Sequence, residues 1–269
     1  YFPRNIKFYN AKNCELISQI DISRYNKRGC FYTTLKRSVL INFLKQNIPS
    51  NKISFNSDIK NIHHENNIKI IVNEKTWDTD KLVISDGVFS SSKKMVIQKL
   101  DKINFYNSVA LRGNIKNIND KDISIYLGPK FHYVIYPINQ DGEFNFISII
   151  REKNINKIND FSNLRLIDDF TKYIYSNTSY KLKDKLQNIS IYPVYASKKI
   201  NIPKNKNIYL TGDALFAFPP SFAQGASQSL ESSFELFKNL EEDSKKYYKD
   251  REIRVNKIRL RSEFNHYAF

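Results

Sequence analysis

The stretch IYLTGDALFAFPPSFAQGASQSLESSFELF, Ile208 to Phe237, restricts the fold more than any other part of the chain. A short apolar run leads into Gly212-Asp213. Pro219-Pro220 and Ala223-Gln224-Gly225-Ala226 follow, and then a helical pattern begins. The chain holds only 7 glycines, yet Gly212 and Gly225 stand on both sides of this one loop. The order is strand, acidic turn, rigid loop, helix start, which is an α/β junction. Such an order suits backbone held close to a ligand. The Asp213 carboxylate can accept hydrogen bonds from a ligand hydroxyl. The proline pair stiffens the loop and removes two backbone donors. Gly225 permits close approach, and the new helix offers unpaired N–H groups and partial positive charge, a seat for an anion. The plainer reading of Gly-Asp alone is a strand–loop–helix junction with Asp213 as a cap.

The rest of the chain alternates between two textures. Leu35, Val39 and Phe43 recur at helical spacing, as do Leu40 and Leu44. With Thr33 or Thr34 as cap and Pro49 beyond, the spacing predicts a helix over about 34–47. KISFNSDIKNIHHENNIKIIVN alternates about a polar turn and reads as a hairpin. KLVISDGVFSSSKK is an apolar strand running into Asp86-Gly87. From about 103 to 152, SVALRGNI, DISIYLG, HYVIYPI and FNFISII are short β-rich runs with turns between them, an antiparallel sheet. LIDDFTKYIYSN predicts a helix, and KDKLQNISIYPVY returns to the sheet. Leu230, Phe234, Phe237 and Leu240 form one helical stripe, and a basic helix covers about 244–265. The division expected is 1–100, 101–200 and 201–269: an α/β part, an inserted sheet, and a return to the first part with C-terminal helices.

Composition narrows the functional classes. A hydrophobic fraction of 41% supports a core and argues against disorder. The formal charge is +16, but the lysines are scattered rather than blocked, which disfavours nucleic acid as partner. No apolar run approaches the ~18–20 residues of a membrane span. Cys14 and Cys30 are too few for a disulfide framework, so a reducing, cytoplasmic setting is expected. The chain opens Tyr-Phe-Pro-Arg and its single methionine is Met95, which suggests a fragment of a longer protein.

These motifs together resemble the FAD-dependent aromatic hydroxylases, the single-component flavoprotein monooxygenases. GDALFAFPPSFAQGASQSLES is similar to their second flavin-contacting motif. LVISDGVFSSSK resembles their Asp-Gly motif, and RSVLINFL their helix with an arginine near the cofactor. YLGPKFHYVIYPINQDGEFNFISII resembles the substrate sheet of the salicylate hydroxylase and 3-hydroxybenzoate 6-hydroxylase branch. The resemblance implies an α/β chain: a partial Rossmann-like FAD-binding domain with an inserted, mainly antiparallel substrate sheet. It implies FAD and NAD(P)H as cofactors, a small aromatic substrate, and oxygen transfer through a flavin C4a-hydroperoxide. Asp213 would bind the ribityl chain. Gly212 would shape its turn, and Pro220, Ala223, Gln224, Gly225 and Ala226 would lie against the isoalloxazine. Arg37 would sit near the phosphates or the nicotinamide, and Asp86 and Gly87 in the pyrophosphate region.

By the same resemblance His132, Tyr136 and Gln224 would line the substrate site. A phenolate attacks an electrophilic oxygen faster than a phenol, and histidine can take that proton. His132 and Tyr136 are four apart on one strand and so share a face. The plain alternative is a half-buried strand with aromatics. His63 and His64 face opposite ways on a strand and cannot share a metal. Ser90, Ser91 and Ser92 lack a partnered histidine, and the two cysteines form no ligand cluster.

The pattern departs from the family in places. No Gly-x-Gly-x-x-Gly turn occurs, so the βαβ unit that carries it is expected upstream. Phe216 stands where the family has histidine, and Lys93 where it has arginine, which removes a bidentate fork. Two other readings are a ubiquinone-pathway ring hydroxylase with peripheral membrane contact and a non-catalytic basic binding module. A homodimer is compatible with the resemblance.

Overall fold

The structure is a computed structural model; it describes residues 1–27, 29–65, 67–98, 103–116, 118, 120–152, 161, 163–183, 185–241 and 244–268. The chain divides into two compact units. The first is Tyr1–Ile53 with Asn107–Val194, and the second is Ser54–Tyr106 with Tyr195–Ala268. Residues 1–53 thus belong with the sheet rather than with the Asp86 segment, a difference from the 1–100 grouping read from sequence. The boundary expected at 100/101 lies outside the described residues.

The first unit is built on a seven-stranded sheet ordered β11-β7-β10-β9-β8-β1-β2. Its strands are β1 (Asn5–Asn10), β2 (Leu16–Asp21), β7 (Asn104–Lys116), β8 (Ile123–Leu127), β9 (Phe131–Pro137), β10 (Glu143–Arg151) and β11 (Leu186–Ala196). The antiparallel ladders of β7, β10, β9 and β8 match the alternating runs of the sequence. The opening hairpin of β1 and β2 was not legible there, and β1 joins β8 in parallel.

Side-chain alternation gives this sheet two distinct faces. Phe131, Tyr133 and Ile135 are 0–2% exposed and lie on the side covered by helix α3 (Leu164–Ser176), where Tyr173 meets Phe131 edge-on at 5.7 Å. Tyr9, Tyr126 and Tyr133 stack in series on this side at 5.0 and 4.6 Å. Helix α1 (Arg37–Gln46) buries none of its residues. It has no side-chain cap: the Thr34 hydroxyl donates instead to the Pro137 carbonyl at 2.5 Å, so the expected threonine cap is not made.

In the second unit β3 (Ile59–His63), β4 (Ile68–Val72) and β5 (Lys75–Thr79) form an antiparallel meander. The predicted hairpin is its first two strands. Beside it β6 (Leu82–Ile84) pairs in parallel with β12 (Ile208–Leu210). Ile208, Tyr209 and Leu210 are at most 1% exposed and sit in one apolar cluster with Ile62, Ile84, Leu236 and Val255. Helices α2 (Ser91–Val96), α4 (Gly212–Leu215), α5 (Gly225–Lys238) and α6 (Ser244–Ala268) complete the unit.

Two tyrosines of α6 complete the strand. The Tyr248 hydroxyl accepts from Leu210 N–H at 2.9 Å and donates to the Ile208 carbonyl at 3.2 Å. The Tyr247 hydroxyl donates to the Leu210 carbonyl at 2.8 Å. Buried backbone groups of β12 beyond the β6 ladder are thereby satisfied, which a short buried strand requires.

Candidate functional site

The parallel pair β6–β12 places two acidic turns side by side. Leu82, Val83 and Ile84 stand opposite Ile208, Tyr209 and Leu210, and Thr211 N–H donates to the Ile84 carbonyl at 3.1 Å. The register carries the chains forward together, so Asp86 and Gly212 leave neighbouring strand ends and Asp213 follows. The carboxyl ends of parallel strands are where open α/β sheets bind their ligands. Both aspartates are exposed.

Each turn is fixed from within the unit. Asp86 Oδ2 accepts from Ser92 N–H at 3.1 Å, while the Ser90 side chain caps α2 by accepting from Lys93 N–H. Burial would raise the Asp86 carboxyl; hydrogen bonds from Ser90 and Ser92 outweigh it and hold the group below its ordinary value. Gly87 has φ +90, and a Cβ there would meet nothing within 4 Å. Lys93 donates its Nζ to the Ala214 carbonyl at 2.8 Å. It ties the Asp86 segment to the Asp213 segment. Phe216 is 2% exposed and packs on Phe218 with ring centroids 4.9 Å apart, so it is a packing residue.

A 3-10 turn and a left-handed residue shape the loop after Asp213. Pro220 starts a 3-10 turn that ends at Ala223, held left-handed at φ 50, ψ 31. Ser221 Oγ lies 3.1 Å from His266 Nδ1 on α6, and His266 meets the Tyr106 ring edge-on at 5.1 Å. Gln224 is the N-cap of α5, and no side chain caps that helix. Gly225 opens it, with nothing within 4 Å of a Cβ placed there, and Ala226 beside it is exposed. The helix therefore begins with N–H groups that no capping side chain satisfies, and with partial positive charge.

Of the sequence stripe, Leu230, Phe234 and Phe237 on α5 face outward, 49–76% exposed, while Leu240 beyond the helix packs against the apolar cluster. The buried face is Gln228, Ser232 and Leu236. Ser232 Oγ accepts from Thr211 at 2.9 Å and lies 2.8 Å from the Tyr247 hydroxyl. Gln228 and Glu231 meet Arg251 of α6. Arg254 clasps the Glu231 carboxylate through Nε and Nη2. Burial would raise that carboxyl, but bonds from Arg254, Gln228 and Arg251 hold it down to about 2.

On the sheet unit, His132, Val134 and Tyr136 occupy the face opposite Phe131 and Tyr133. His132 is 5% exposed and is flanked in register by Leu127 and Ile149. Tyr136 is half-buried; burial raises its phenol above the ordinary value against the pull of Arg112. Arg112 is the residue that sequence reasoning missed here. It stands opposite Ile147 on this face, exposed, with its guanidinium 5.3 Å from the Tyr192 ring centre. A charge inside the apolar run SVALRGNI is the signal that could have found it. Arg37 is exposed at the first position of α1, in this same unit. Arg37, His132 and Tyr136 thus belong to the sheet unit, while Asp86, Gly87, Gly212, Asp213, Pro220, Ala223, Gln224, Gly225 and Ala226 are brought together in the second.

Among the described residues no group of three or more His, Cys, Asp or Glu side chains could hold a metal ion, and no helix is long and apolar enough to cross a membrane. Cys14 and Cys30 are free thiols.

No protein-family model matches the chain, and no curated protein matches it in sequence. Solved structures do match in three dimensions. HpxO from Klebsiella pneumoniae, complexed with FAD and uric acid, superposes with a TM-score of 0.84 at 15% identity, over 98% of this chain and 71% of that one. A salicylate hydroxylase in a substrate complex gives 0.76 at 15% identity, over 97% and 71%. A protein of Photorhabdus luminescens subsp. laumondii TTO1 described as an FAD-containing monooxygenase gives 0.75 at 19% identity, over 99% and 79%. The chain has the mixed α/β fold of the FAD-dependent monooxygenases.

Proposed function

We propose that the protein is an FAD-dependent monooxygenase that hydroxylates a small phenolic or other aromatic substrate with NAD(P)H and oxygen. One observation carries this reading: Asp86 and Asp213 leave adjacent parallel strands in register, next to an uncapped helix start, inside one compact unit. The residues present fit the cofactor. Two carboxylates can accept hydrogen bonds from ribose and ribityl hydroxyls. Gly87 and Gly225 border open space that a Cβ would enter. The α5 N–H groups suit an anionic ring edge. Bound FAD would supply the passage of electrons from NAD(P)H to oxygen and the delivery of one oxygen atom to the ring.

The chain's own residues bind, orient and move protons. Asp213 and Asp86 hold hydroxyls; Gly212, Gly225 and the Pro220–Ala226 loop present backbone. On the sheet face His132 takes the proton from the substrate hydroxyl, which makes the ring electron-rich. Tyr136, a phenol that burial raises further above its ordinary value, stays protonated at neutral pH and donates a hydrogen bond to the same oxygen. Arg37 offers positive charge to phosphate or nicotinamide.

The test uses protein produced from the complete open reading frame. It should purify yellow or turn yellow with added FAD, and its NADH or NADPH oxidation should rise with a simple phenol while hydroxylated product forms. Colourless protein that shows no binding in an FAD titration would refute the proposal. Peroxide release with every phenol tried would reject the hydroxylase part.

A further inference from the structure

Arg251 lies on α6, outside every motif named in the sequence, and is 2% exposed. Its Nη1 donates to Glu231 Oε1 at 2.8 Å and its Nη2 to Gln228 Oε1 at 2.8 Å. Gln228 Nε2 in turn donates to Glu231 Oε2 at 2.9 Å. The three side chains close a ring of hydrogen bonds. Two of them stand in the first two turns of α5, just after Gly225. Such a ring fixes the orientation of a helix start that no side chain caps.

The charge balance is lopsided. Arg251 and Arg254 share one carboxylate, so two positive charges meet one negative charge, leaving +1. Arg251 Nε is buried without a hydrogen-bond partner among the described residues. The same side chain lines, with Gly212, Asp213, Gly225 and Gln228, a cavity of about 10 Å³. A buried guanidinium with an unmade bond is costly and calls for a purpose beyond packing. Its sign matches the positive end of α5.

We infer that Arg251 is a positioning residue: it locks the first turns of α5 and the adjoining Gly212–Asp213 turn, and adds buried positive charge at the helix end that faces an anionic cofactor ring. The charge role rests on the FAD reading above; the locking role does not.

The experiment compares Arg251→Met, which removes the charge and the fork, with Arg251→Lys, which keeps the charge and loses the fork. Both are made from the complete open reading frame. The first readout is amide hydrogen exchange without added FAD. In Arg251→Met, exchange over Gln228–Ser233, the first hydrogen-bonded amides of α5, should rise by about tenfold or more while β9 and β10 keep their protection, because local opening reports local stability. Unchanged exchange there in a folded Arg251→Met protein would overturn the locking role. If that variant fails to fold, Gln228→Leu, which breaks one side of the ring only, should raise exchange over the same residues, and no change would overturn the role equally. The second readout is the midpoint potential of bound flavin. It should move to more negative values in Arg251→Met and return towards wild type in Arg251→Lys. Equal potentials in all three proteins would remove the charge role. Failure of the wild type to take up FAD would sink the functional proposal and the charge role with it, and leave the exchange comparison to decide the locking role.

Discussion

Replacing Gly212 by alanine should destabilise the strand-end turn by a calculable amount. Gly212 has φ +58, and an added Cβ would lie 3.0 Å from Ser229 Oγ and 3.5 Å from Ser229 Cβ. A left-handed alanine costs about 1–2 kcal/mol. Reduced freedom of the unfolded chain offsets about 0.4–1 kcal/mol of that. The close contact adds a second cost. Ser229 Oγ donates to the Gly225 carbonyl at 3.0 Å, and rotating it away gives up a hydrogen bond, a net loss of about 0.5–1.5 kcal/mol. Together Gly212→Ala should lose about 2 kcal/mol in urea unfolding. In a Ser229→Ala background only the Cβ contact remains, at ordinary van der Waals distance, so the same change should cost about 1 kcal/mol less. A Gly212→Ala protein as stable as wild type, or a double-mutant cycle with no coupling, would refute the reasoning.

Other perturbations have definite directions. At Ala223, left-handed at φ 50, valine should destabilise by more than about 1 kcal/mol, whereas glycine should be near neutral, both by urea midpoint. Glu231 titrates near 2 in the folded protein against about 4.3 in an unfolded chain; this depressed carboxylate stabilises above about pH 4.5, and the contribution fades as pH falls towards 2. Allowing for a side chain 31% exposed, the gap between wild type and Glu231→Gln should be about 1–2 kcal/mol at pH 6 and close on acidification; a gap that is constant with pH would exclude the ion-pair origin. On the hydroxylase reading, His132→Phe should slow hydroxylation by about 10²–10⁴-fold and leave flavin reduction by NAD(P)H unchanged. Unaltered hydroxylation across pH in that variant would take His132 out of the chemistry.

Local chemistry made much of this fold readable. The apolar run before Gly212 ends where a left-handed residue is required, so strand, turn and helix follow from residue type alone. The β7–β10 runs alternate with period two and differ from a helix at every second position. The parts that stayed hidden depend on distant partners. β1 pairs with β8 across more than a hundred residues, and nothing in Asn5–Asn10 specifies that partner. The period of α5 does not fix which face is inside: Leu230, Phe234 and Phe237 form its apolar stripe, yet Gln228 and Ser232 are inside because Arg251 and Tyr247 meet their polar atoms. Arg251 itself is one of 43 basic residues and only burial distinguishes it. His132 and Tyr136 were legible as a same-face pair; the charge within SVALRGNI marks Arg112, but placing it on their face required the sheet register.

The central claim is that the acidic turns at the ends of β6 and β12 hold FAD. A titration of FAD into protein from the complete reading frame, followed by flavin fluorescence, tests it most directly when repeated with Asp213→Ala and Asp86→Ala. The wild type should bind saturably and each variant should lose at least about tenfold in affinity, with the folded state retained. Wild-type binding that neither substitution weakens, or no binding at all, would contradict it.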